Sequence, residues 1–163
     1  MSLARAEHTP DDDFEPVRLL GVFEQVAREL APQLSEKHIE LVQQLAGLSV
    51  HGRALDLQRL LRNLVDNALR HAPAHSTIHC TADVDGPLVT LRVSDQGPGV
   101  SDSDRERIFE PFFRSPETRG TAQQGSGLGL SIVREIARAH GGDVRVESSQ
   151  QGATFAVELL KAS

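Results

Sequence analysis

Residues 55–72 read LDLQRLLRNLVDNALRHA, and Pro73 ends the run. At ~100° per residue, Leu57, Leu60, Leu61, Leu64, Val65, Ala68, Leu69 and Ala72 fall on one stripe, which predicts a helix with a single apolar face. Asn63, Asn67, Arg70 and His71 cluster along one edge of it, while Arg59, Arg62 and Asp66 turn to solvent. A stripe of this kind needs a second layer to bury it. The flanking sequence supplies strands: Thr77 to Val84 and Leu88 to Asp95 flank Asp85-Gly86-Pro87 as a hairpin, and Val144 to Ser148 and Thr154 to Leu160 flank a turn at Gly152. Ile39 to Leu45 and Leu48 to His51 read as a small strand pair. Helical spacing recurs from Leu19 to about Lys37, with Pro32 expected to kink or break it, and from Leu128 to His140, with Gly141-Gly142 as the stop. Ser101 to Phe109 reads as a short capped helix. Helices on one face of a mixed sheet make an α/β (α+β) two-layer sandwich.

The chain of 163 residues is the size of one domain, with residues 1–16, polar and acidic, expected to be a linker and 17–163 the folded unit. A net charge of −6 argues against a nucleic-acid partner, because phosphate neutralisation needs a surplus of Lys and Arg. The single cysteine, Cys80, rules out an internal disulfide and fits a reducing, cytoplasmic compartment. No apolar run reaches the ~18 residues of a membrane span, so this domain is expected to make no direct membrane contact. Any membrane anchor of a parent protein would lie outside this sequence.

Asparagine oxygens are neutral hard donors suited to Mg²⁺ whose charge is met by phosphate oxygens and water, and Arg70 would then reach the phosphates. The alternative for these residues is a plain solvated helix edge. In the strand Leu88 to Asp95, alternation puts Asp95 on the core side with Val89, Leu91 and Val93, where a carboxylate needs donors. The exocyclic amine of adenine would supply one, with Gly97 and Gly99 letting a flat base come close; loop amides are the alternative. Gly125-Ser126-Gly127-Leu128-Gly129 opens the last helix, where unpaired N–H groups favour phosphate. It is neither a dinucleotide fingerprint, since Leu130 stands where the third glycine belongs, nor a Walker A loop.

Taken in order, NLVDNALRHA (63–72), DQGPGV (95–100), RIFEPFFR (107–114) and GSGLGLSIV (125–133) resemble the N, G1, F and G2 boxes of sensor histidine kinases, within the wider GHKL group. The resemblance, over about residues 17–160, implies the Bergerat-type ATP-binding fold and ATP with Mg²⁺ as its ligands. It implies that Asn67 is the metal ligand, with Asn63 beside metal and phosphates, Arg70 on phosphate and His71 over adenine. Asp95 would read adenine, Gly97 and Gly99 would shape the pocket, Arg114 would reach the γ-phosphate, and Gly125, Gly127, Leu128 and Gly129 would line the triphosphate. Thr154 would touch adenine through water. Phe113 to Ser126 is expected to be a lid based on Phe109, Phe112 and Phe113.

In the gyrase-type ATPases, chaperones and serine kinases of the group, a glutamate four residues before the metal-binding Asn can act as base; Asn63 stands in that place and cannot. The resemblance therefore implies a protein-histidine kinase domain whose nucleophile lies on a separate phosphoacceptor and dimerisation domain, with a response regulator receiver domain as the next partner. None of the histidines here is followed by an acidic residue in the acceptor pattern, so the isolated chain is expected to be inactive alone. His75, His79 and Cys80 are expected to be structural rather than metal ligands. A self-sufficient ATPase or serine kinase, and a non-catalytic nucleotide sensor, are the rival readings.

Overall fold

A computed structural model of the chain describes residues 13–113, 127–147 and 152–163. The apolar stripe forms helix α2, Ala54–His71, and Leu57, Leu60, Leu61, Leu64 and Val65 are among the least exposed residues of the molecule. Truncating one, as in Leu64→Ala, would cost about 2–5 kcal/mol. The layer that covers the stripe is a five-stranded mixed sheet made of β2 (Glu40–Gln44), β4 (Thr77–Asp85), β5 (Leu88–Ser94), β6 (Val144–Glu147) and β7 (Thr154–Leu160), in the order β2-β4-β5-β7-β6. β2 runs parallel to β4 and every other neighbour is antiparallel. Helix α1 (Leu19–Glu36) packs on α2, as does α3 (Gly129–Ala139), and α2 and α3 lie on the inner face of the sheet.

Alternation divides the sheet cleanly. Ile78, Cys80, Val89, Leu91, Val93, Phe155, Val157 and Leu159 are buried on the inner face. The outer face carries an ionic lattice: Arg92 reaches Glu147 at 2.9 Å and Asp83 at 3.2 Å, and Arg145 reaches Glu158 and Glu147 at 3.1 Å. Ala156, between Arg92 and Arg145 in the register, is fully buried on that face.

Four local expectations change. Pro32 does not end α1, because it removes only one N–H while Leu30 and Leu34 on either side are buried and hold the last turn. The two strands expected to pair do not: β2 joins β4, whereas β3 (Ser49–Gly52) pairs antiparallel with β1 (Glu15–Arg18) in a separate two-stranded sheet. Leu45, wholly buried, and Ala46, at φ 52°, turn the chain inward between them. β1 also includes Glu15 and Pro16, two residues of the stretch expected as linker. The expected helix over Ser101 to Phe109 is two 3₁₀ turns, Asp102–Asp104 and Arg107–Phe109, too short for cooperative α-helix and anchored by Phe109, which stands edge-on to Phe155 at 6.2 Å.

Among the described residues, no helix is long and apolar enough to cross a membrane. Cys80 is sealed on the inner face and burial pushes its thiol up to about 12. Ellman's reagent at pH 8 should therefore leave the native protein unlabelled and react at once with protein unfolded in denaturant; rapid stoichiometric labelling of native protein would contradict this packing.

Candidate functional site

The polar edge of α2 lies next to the start of α3 and the end of β5. Asn63 donates Nδ2–H to the carbonyl of Gly129 at 3.4 Å, so an amide of α2 holds the first turn of α3. Asn67, one turn further along the same edge, is half-buried. Arg70 pairs with Asp66 at 2.6 Å, so Asp66, expected to face only solvent, is the carboxylate that holds this guanidinium; Arg62 likewise meets Glu29 at 3.5 Å. Gly127 sits at φ 80° with its carbonyl accepting from Phe112 N–H at 2.6 Å, and a Cβ there would stand 2.8 Å from the Phe112 Cα. Leu128 caps α3 and its carbonyl accepts the Ser131 hydroxyl at 2.8 Å. Arg114, Gly125 and the remainder of the expected lid from 114 to 126 lie outside the described residues. Phe109 and Phe113, at the base of that stretch, are each stacked under a guanidinium, Arg134 at 4.9 Å and Arg107 at 4.7 Å.

Asp95 is 6% exposed, at the end of β5. Its Oδ1 accepts Gly97 N–H at 2.8 Å and, at the limit of hydrogen bonding, Ala153 N–H at 3.5 Å, while its own N–H donates to the Ala153 carbonyl at 3.0 Å. Both carboxylate bonds fall on Oδ1, which leaves Oδ2 as the acceptor for a ligand N–H. The loop-amide role and the base-reading role, alternatives from sequence, thus fall on different oxygens of one group. Burial pushes the Asp95 carboxyl above its ordinary range, against the Gly97 and Ala153 N–H groups and the nearby His71, which pull it down. Burial likewise lowers the His71 imidazole; the Asp95 carboxylate opposes this, and Arg70 and Lys37 reinforce it.

The glycines also meet neighbouring backbone. A Cβ on Gly97 would lie 2.4 Å from the His71 carbonyl, and one on Gly99, at φ 83°, would lie 3.1 Å from the Gly152 carbonyl. Both are first required by the approach of one backbone to another. Gly152, read from sequence only as a turn, is the most constrained of these three: at φ 136° its Cβ would stand 2.0 Å from the Asp95 carbonyl.

Thr154 is a correction. Strand alternation puts its side chain on the outer face, where its hydroxyl meets Ser94 Oγ at 2.9 Å in the row of Glu147, while Phe155 faces inward opposite Val93. Ala153 takes the place beside Asp95, and an alanine in a loop carried no signal for that. Lys37 was also missed: its Nζ donates to the Leu69 carbonyl at 2.7 Å, tying the end of α1 to the last turn of α2. Among the described residues no cluster of three or more His, Cys, Asp or Glu could hold a metal; His75 stacks on His38 with centroids 4.8 Å apart.

A buried carboxylate at a strand end, an amide edge on α2 and a helix start facing it define a nucleotide-binding α/β sandwich. A family model described as histidine kinase-, DNA gyrase B- and HSP90-like ATPase matches residues 52–163, and the chain belongs to that family of ATP-binding domains. It is 37% identical over 149 residues to the sensor protein kinase PmrB of Pseudomonas aeruginosa and 36% identical over 153 residues to the sensor protein CreC of Escherichia coli, covering 91% and 94% of this chain. The chain spans about a third of those relatives, 31% and 32% of their lengths. Among solved structures it is similar to the mycobacterial sensor histidine kinase MprB, with a TM-score of 0.80, 29% identity and coverage of 91% of this chain and 98% of that one. It is also similar to full-length ShkA in complex with AMPPNP, with a TM-score of 0.79, 33% identity and coverage of 92% of this chain and 31% of that one.

The raised Asp95 carboxyl carries a sign. The folded, empty protein binds this proton more tightly than the unfolded chain does, so the Asp95 contribution to stability rises as pH falls through its raised value toward the unfolded value of 3.8 and is lost as pH rises. Asp95→Asn should therefore melt no lower than the parent at pH 7.5, and the parent should gain on it as pH falls toward 5, in thermal melts of nucleotide-free protein. The same variant should bind ATP at least about tenfold more weakly, and the parent should prefer ATP to GTP by about that factor, because a lost buried partner costs about 1–3 kcal/mol. Calorimetry finding equal ATP affinity in parent and variant would exclude Asp95 from the site.

Proposed function

We propose that this chain is the catalytic domain of a sensor histidine kinase: it binds Mg-ATP and presents the γ-phosphate to a histidine on a phosphoacceptor and dimerisation domain, for relay to a response regulator receiver domain. The observation that carries the reading is the Asn63 amide, bonded to the start of α3 one turn before Asn67. It puts a group that cannot take a proton where the glutamate base of the ATPases in the group stands, so position 63 can help to orient a phosphoryl group but not activate a nucleophile. Membership of the family and kinship with sensor kinases support the rest. So does ThkA, solved in complex with its response regulator TrrA, which matches 91% of this chain at 26% identity with a TM-score of 0.77, this chain covering 42% of it.

The residues present fit the group. Asp95 Oδ2 and the Gly97 loop suit the amine edge of adenine, His71 flanks the base, and Asn67 offers a neutral oxygen to Mg²⁺. The amide N–H groups of the first turn of α3 face anionic oxygens. When bound, Mg-ATP supplies the transferable phosphoryl group and the cation that offsets its charge. The chain's own contribution is orientation: α2 sets the metal side, α3 the phosphate side, and Arg70 can exchange Asp66 for phosphate. Catalysis by such a domain is positioning and charge stabilisation. Arg114 and the segment after it would complete the γ-phosphate side. A parent protein anchored in the inner membrane, with this domain in the cytoplasm, fits the sensor kinases to which it is related.

Labelled ATP tests the reading. The chain alone should neither label itself nor turn over ATP appreciably, and it should label a histidine-bearing domain supplied from its parent protein. Asn67→Ala should weaken Mg-dependent nucleotide binding by about tenfold or more, ~1.4 kcal/mol. Robust Mg-dependent hydrolysis by the pure chain, lost in Asn67→Ala, would instead establish a self-sufficient ATPase.

A further inference from the structure

His140, read from sequence as a residue near an element end, is 1% exposed and holds three parts of the chain together. It ends α3, where Nδ1–H donates to the Ile136 carbonyl at 2.9 Å, and its Nε2 accepts the N–H of Arg53, the residue that caps α2, at 3.2 Å. These two bonds fix the tautomer. One side of the ring lies on Gly52, where a Cβ would come within 2.4 Å of Cδ2. The other side is covered by Phe14, stacked at 4.6 Å between centroids and 18° between planes. Phe14 is held in turn by the edge of His51 at 5.4 Å and by the Arg53 guanidinium at 4.9 Å, and Asp13 meets Arg53 at 3.9 Å.

Helices α2 and α3 are therefore fastened at two places. Asn63 grips Gly129 at the start of α3, and His140 grips the start of α2 from the end of α3. With the His140 fastening loosened, α3, 11 residues and ~16 Å long, is held at its start by the Asn63 bond and pivots there, which tilts the turn from Gly127 to Gly129 about that point. That turn faces phosphate in the proposed site, whereas Asp95 and its loop are built on β5 and against the His71 carbonyl at the end of α2.

We propose that His140 is a positioning residue for the phosphate side of the site, and that Phe14, stacked on it, couples the segment entering the domain to the spacing of α2 and α3. Strain applied to that segment would then reach the triphosphate through one ring stack and two hydrogen bonds, without passing through the base pocket. This inference rests on the ATP-binding reading.

The test compares two ligands on the 163-residue chain. Phe14→Ala strips the cover from His140 at a half-buried surface position, and a thermal melt checks that the variant folds. It should weaken AMPPNP with Mg²⁺ about fivefold, which is ~1 kcal/mol, and leave adenosine affinity unchanged. Phe14→Tyr, which keeps the stack, should restore AMPPNP binding. His140→Ala should show the same split more strongly, provided that it remains folded. A purely structural role would lower both ligands alike or neither, and either result for Phe14→Ala overturns the proposal. If the parent binds neither adenosine nor AMPPNP, the ATP-binding reading falls and the coupling falls with it.

Discussion

Helix α2 has to serve the core and the site at once, and everything else is arranged around that constraint. Its stripe from Leu57 to Leu69 is buried almost completely, so rotation about its axis would bring leucines into water at about 25 cal/mol for each Å² exposed. That penalty fixes the azimuth of Asn63, Asn67, Arg70 and His71 without any of them contributing to the core. An amide edge held by hydrophobic burial is stiff, and a domain that acts by positioning needs that stiffness. The ionic lattice on the outer face of the sheet holds strands β5, β6 and β7 in register with solvent-screened pairs, each of which contributes little.

The proposed base pocket, around Asp95, is assembled on the opposite principle. Asp95 is carried into the interior by the alternation of β5 and is incompletely served there, with two N–H groups on one oxygen. Its raised carboxyl measures that cost. The contacts that make the pocket possible are backbone on backbone: Gly97 against His71, Gly99 against Gly152, and Gly152 against Asp95. A methyl group at Gly97 or Gly152 would close those approaches. The site thus takes a destabilised acceptor from the sheet and its shape from glycines, and is stable because α2 and the sheet bury so much elsewhere.

The amide at position 63 fits this division. Asn63 holds α3 in place without adding a charge to the edge of α2, and Asp66 pairs with Arg70 one turn away. Asn63 is bonded to α3 and Arg70 to Asp66 on its own helix, so two of the polar groups on the edge of α2 are already oriented.

The apolar periodicity of α1, α2 and α3 and the alternation of β4, β5 and β7 were legible in the sequence because they are local: a 3.6- or 2-residue period names the buried face wherever the element packs. From that came the two-layer architecture, the polar edge of α2 and the inward Asp95, and the resemblance of the boxes supplied the ligand. Tertiary structure decided what depends on distant backbone. It sent β2 to β4 and β3 to β1, turned Thr154 to the outer face and set Ala153 beside Asp95, used Gly97 and Gly152 for chain contacts, and made His140 the fastening between Phe14, Arg53 and α3. Those partners lie between 26 residues apart, for His71 and Gly97, and 126, for Phe14 and His140, and a linear pattern records which way a residue faces but not which backbone will meet it there.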